Sequence, residues 1–152
     1  MEQTSPKLTI ELVPRTTWQL NARSELSQRT WDKIRKREYT RTNNKCEICG
    51  VSGRVECHEK WTFNHNTKIQ KLVGLFVLCN ECHQVKHIGR AYTIGKGIAA
   101  EAHLRVVNKW TKEEASEYIT KCFEIWEDRS KITWTLDLSY LKEIDAASNL
   151  EM

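Results

Sequence analysis

The sequence predicts an α+β protein of one domain, built around a small zinc-bound hairpin and helix with further helices on its flanks. Three observations lead there. Two C-x-x-C pairs, Cys46/Cys49 and Cys79/Cys82, bracket 29 residues rich in strand formers. Helical periodicity precedes and follows that stretch. The 152 residues, 39% hydrophobic and 29% charged, suffice for one core without obliging the chain to rely on a metal.

Taken in order, Leu8–Val13 (LTIELV) alternates as a short strand does and is ended by Pro14. Ser27 is the expected N-cap of a helix reaching Thr42, with Trp31 and Ile34 at core-facing spacing. Residues 54–64 and 68–78 read as the arms of a hairpin, with Asn64-His65-Asn66-Thr67 as its turn. A helix follows from residues 80–83, and another is expected from Ile98 to about Trp110. Thr111 and Glu114 form a capping box, T-x-x-E, opening a helix to about Arg129 on which Ile119, Cys122, Phe123 and Trp126 share a face. Cys122 is on this reading a core thiol. Trp134-Thr135-Leu136 reads as a short strand, and Asp137 as the cap of a last helical turn. The six tryptophans, spread along the chain, read as packing anchors and not as a base-stacking platform.

Met1–Lys7 is polar and the longest apolar run is Val73–Cys79, so neither a signal peptide of the usual kind nor a membrane span of about 20 residues is expected. A reducing, cytoplasmic setting follows, in which six cysteines serve as metal ligands and buried thiols in preference to disulfides. The net charge of +4 is uneven: residues 1–45 carry 10 Lys/Arg against 5 Asp/Glu, whereas residues 101–152 carry 7 against 11. The helix at 28–42 concentrates Arg29, Lys33, Arg35, Lys36, Arg37 and Arg41. That array is either a solvated face or a surface for a polyanion such as nucleic acid.

The cysteine pairs carry the strongest chemical signal. Two thiolates separated by two residues in a tight turn take adjacent corners of a tetrahedron, and two such turns close the sphere around a structural zinc. The competing reading is two unrelated pairs, one of them a redox C-x-x-C, but no thioredoxin-like βαβ pattern surrounds either. His83 and His87, in CHQVKH, lie at i and i+4 on a helix and so face one way. They either bind one ion together or hydrogen-bond locally around the zinc turn. A hairpin before that helix brings His58 beside them. A held ion with an adjacent free imidazole is an arrangement for hydrolysing phosphodiesters.

The stretch KCEICG…VECHEKW…LVGLFVLCNECHQVKH, residues 45–88 and under a third of the chain, resembles the HNH nuclease family in its form with four structural cysteines. Some bacterial proteins identified as members of that family are similar over nearly the whole length, including WDKIRKREY, VECHEKW and KHIGRA. The family's fold is the ββα-metal arrangement, a hairpin and helix around a catalytic ion. The resemblance implies that residues 45–95 form the HNH-like zinc domain, with residues 1–44 packing on it and residues 96–152 as a helical extension, all in one compact unit. It further implies a metal-dependent endonuclease acting on DNA, with His58 as the general base and His83 and His87 as metal ligands. Two positions depart from the pattern. Cys57 stands where the family has an Asp or His ligand, and Gly74 where it has the Asn that orients the base. Cys57 as a third ligand would favour zinc over magnesium, with nickel and manganese as further candidates for the second ion. Without the Asn, His58 needs another partner: a backbone carbonyl, Glu56, Glu59 or Asn64. The alternative is a zinc module whose catalytic site has decayed and which binds nucleic acid or a protein. His65 and His103 are assigned no role.

Overall fold

The computed structural model describes residues 6–150. Its elements are α1 (Ala22–Glu25), α2 (Gln28–Arg41), β1 (Val55–Asn64), β2 (Ile69–Cys79), α3 (Asn80–Lys86), α4 (Ile88–Thr93), α5 (Gly97–Asn108), α6 (Lys112–Arg129), β3 (Thr135–Asp137) and α7 (Ser139–Leu150). A single 3-10 turn, Arg15–Thr17, precedes α1.

Local chemistry explains most boundaries. The Ser27 hydroxyl accepts from the Thr30 amide and starts α2, whose periodicity buries Trp31 and Ile34. Thr111 and Glu114 bond reciprocally at the head of α6, the capping box that their spacing predicts. At the hairpin turn the Asn64 side chain accepts from the Asn66 and Thr67 amides, and Lys68 takes a left-handed φ of 58°. Asp137 accepts from the Ser139 amide, although the helix it opens runs twelve residues where a single turn was expected.

β1 and β2 pair antiparallel, and β3 adds in parallel beside β2, giving the order β1-β2-β3. The pairing slips between Lys60 and Trp61, so that Lys60 faces Gly74 while Trp61 faces Leu72. This bulge resets the alternation of β2. Leu72 and Leu75, three residues apart, therefore both reach one face, where they pack with Trp31, Ile34, Leu141, Cys57 and Trp61. The other face presents Phe76 and Leu78 to the second core cluster, which joins α3, α4, α5 and α6 through Val85, Ile88, Ala100, Leu104 and Ala115. The sheet thus separates two apolar layers. Burying each aliphatic side chain in them contributes about 1.5–3 kcal/mol before entropy is counted.

Leu8–Val13 corrects the expectation of a strand. It is extended and partly buried, but it joins no sheet. Its polar groups bond to helices instead: Leu8 exchanges two hydrogen bonds with the Asn108 side chain, the Ile10 amide donates to the Tyr118 hydroxyl, and the Glu11 amide donates to the Lys86 carbonyl. The N-terminal segment is therefore wedged among α3, α5 and α6, and the segments before residue 45 and after residue 95 interleave.

Candidate metal centre

The first cysteine pair lies in a tight turn before β1. The Gly50 amide donates to the Cys46 carbonyl, the Cys46 amide to Val51, and Gly50 takes a φ of 80°. Cys79, the last residue of β2, is the N-cap of α3, and its sulfur accepts from the Cys82 amide. The four sulfurs of Cys46, Cys49, Cys79 and Cys82 lie within 4.8 Å of one another, and those of Cys49 and Cys79 are 3.6 Å apart. A tetrahedron with sulfur 2.3 Å from zinc has edges of about 3.8 Å. The four cysteines thus could hold a metal ion such as zinc. Burial pushes the Cys79 thiol up to about 12 and raises Cys82 as well. Burial also opposes ionisation of Cys46, but amide hydrogen bonds outweigh it and bring that thiol to about 7. Without a cation the buried sulfurs of Cys79 and Cys82 stay protonated, and an ion among the four would displace those protons.

Neighbouring groups fix this centre. Glu47 accepts both guanidinium nitrogens of Arg41 and the Val77 amide, fastening the first turn to α2 and β2. His103, to which the sequence assigned no role, reaches from α5 to place Nε2 3.2 Å from the Cys82 sulfur.

A second constellation lies on the α3 side of the sheet. His58 projects from β1, His83 from α3, and His87 from the residue closing that helix. Their ring centroids form a near-equilateral triangle, 5.3, 5.1 and 4.9 Å on its sides, and one ligand atom from each lies within 4.8 Å of the others. His58 Nε2 is 3.2 Å from Glu11 Oε1, and His83 Nδ1 is 3.0 Å from Glu56 Oε2. A carboxylate on one ring nitrogen orients an imidazole and leaves the other nitrogen for an ion. The second oxygen of Glu11 takes Lys86 Nζ, which also donates to the Thr9 hydroxyl. Burial tends to raise the Glu11 carboxyl, yet the His58 hydrogen bond and the Lys86 charge overcome this and hold it well below the usual range. Burial, aided by the charges of His58 and His83, brings His87 down to about 3, which leaves its ring neutral and able to ligate. The three rings open onto a cleft of about 860 Å³ that also meets Trp18, Arg90 and Trp126.

Several expectations change here. Cys57 is not in the histidine group: strand alternation turns its side chain into the α2 layer beside Trp31 and Trp61. His58, only 4% exposed, is one corner of the histidine triangle and not a ring apart from it. Its partner is Glu11, whereas Glu56 serves His83, and Asn64 holds the hairpin turn. The basic helix α2 lies across the opposite face of the sheet from the histidines. Within it Arg41 is engaged by Glu38 and Glu47, and Arg35 by Asp32. Arg29, Lys33, Lys36 and Arg37 line its exposed side. The tryptophans also divide. Trp31 and Trp134 are buried anchors, but Trp18 is 59% exposed.

No family model, curated protein or solved structure matches the chain. No helix among the described residues is long and apolar enough to cross a membrane.

Proposed function

We propose that the protein is a metal-dependent endonuclease that hydrolyses phosphodiester bonds in DNA, an HNH-like ββα-metal unit with an added structural zinc. The observation that carries this reading is the convergence of His58, His83 and His87 on an open cleft. The four cysteines offer every corner of a tetrahedron and would hold a structural zinc; the three histidines would leave a corner free. An ion bound by them would supply positive charge to the scissile phosphate and activate water for attack.

The chain's own groups do the rest. Glu11 and Glu56 orient the rings of His58 and His83. Lys86 fixes Glu11 in turn, so the second coordination layer is tied to α3 itself. Arg90 lines the same cleft three residues beyond His87 and offers a cation to phosphate. His58 acts in this arrangement as a ligand, a change from the general base that the family resemblance implies. Imidazole ligands favour zinc or nickel over magnesium, so the ion preference comes from histidine and not from Cys57.

Nicking of supercoiled plasmid tests the proposal, with wild type and His83→Ala prepared identically and magnesium, manganese, nickel and zinc supplied separately. Cleavage in wild type with at least one ion, lost in His83→Ala, is the expected outcome. No cleavage with any ion, or equal cleavage by both proteins, would remove the nuclease and leave a zinc-stabilised module for binding nucleic acid or protein.

A further inference from the structure

We infer that the cleft receives an unpaired nucleic-acid strand, with one base stacked on the indole of Trp18 while a neighbouring phosphate meets the histidines. The inference rests on the nuclease reading of the histidine centre and specifies its substrate.

Trp18 and Trp126 line the same cleft as His58, His83 and His87. Both indole N–H groups donate to one acceptor, the carbonyl of Val13, at 2.7 and 2.8 Å. That shared bond holds the rings nearly parallel, 20° apart with centroids at 6.3 Å. The Arg15 guanidinium sits 4.1 Å from the Trp126 ring centre and pairs with Glu127. Trp18 is therefore an immobilised ring with much of its surface open to solvent, and Leu20 beside it is exposed as well. A pre-oriented aromatic surface binds a flat partner at little cost in side-chain entropy.

The other contents of the cleft say what that partner is. Arg90 makes no ion pair among the described residues, and its charge lies close enough to act on His87. A cation, an ion-binding triad and a fixed aromatic ring lining one cleft match the alternation of phosphate and base along a strand. In a duplex both faces of each base are covered by neighbours, so a side chain reaches a base face only after the base is flipped or unpaired. A single strand presents that face directly.

The test has two readouts on the full-length, zinc-containing protein. In the first, a His87→Ala background prevents cleavage, and binding of a short single-stranded deoxyoligonucleotide is compared with and without Trp18→Ala. The expected loss is on the order of tenfold, the scale of one base–aromatic stack, with recovery in Trp18→Phe and no loss toward an abasic strand of equal length. Equal affinity of the two proteins, or equal weakening toward the abasic strand and the duplex, would overturn the inference. In the second, a bromouracil-substituted strand is photocrosslinked to wild type. A crosslink mapped to Trp18 supports the stack, and crosslinks confined to α2 overturn it whether or not Trp18→Ala folds. The two readings fail separately. A tenfold loss without any cleavage removes the nuclease and keeps the strand; unchanged binding beside active cleavage does the reverse.

Discussion

Lys86 and Glu11 show how single residues act around the histidines. Lys86 is buried, with its ammonium on a carboxylate that also orients His58. Breaking a buried ion pair from one side costs roughly 3–5 kcal/mol, and the partial exposure of Glu11 reduces this to about 2. Lys86→Met is expected to lower unfolding free energy by that amount in urea. It should also weaken ion binding at the histidines, because Glu11 loses the group that fixes it. The role of His58 is decided by stoichiometry. His58→Ala should retain the ion of the four cysteines and lose a second one, as measured by elemental analysis of the dialysed protein. A variant that keeps both ions but loses cleavage would return His58 to the role of base. The spacing of His83 and His87 is plain in the sequence. Glu11 is not, because a carboxylate in LTIELV occupies what alternation marks as a polar, outward position, and its partner lies 47 residues away.

At the level of elements, caps were the most legible feature, since Ser27, Thr111 and Asp137 each act through a bond to an amide two or three residues on. Thr111→Ala should cost about 1 kcal/mol of stability, seen as a lowered urea midpoint with an unchanged slope. Trp31→Ala removes the largest buried side chain of α2 and should cost about 3–5 kcal/mol by the same measurement. Other features left no readable mark. α4 has six residues, a glycine at its second position and no side-chain cap. β3 is legible as a strand, one residue later than Trp134-Thr135-Leu136 suggests, but its parallel partner Ile69–Lys71, some 66 positions earlier, is not. The bulge opposite Lys60 is equally silent in composition, yet it decides which face Leu72 occupies.

For the whole molecule, stability is expected to depend on the cysteine-bound ion, because the energy of binding it becomes folding energy. Replacing Cys82 with Ser should lower the melting temperature markedly, and a variant with zinc content and melting temperature unchanged would defeat that expectation. Both candidate centres draw on one short helix. Cys79 caps α3, Cys82 and His83 are consecutive within it, and His87 closes it. With an ion at each centre, the two equilibria would share this helix. Whatever factor the first ion adds to the affinity of the histidines for the second, the second must add to the affinity of the cysteines for the first. Removing the ion of the cysteines would therefore be read at the histidines as well, through the helix that carries both.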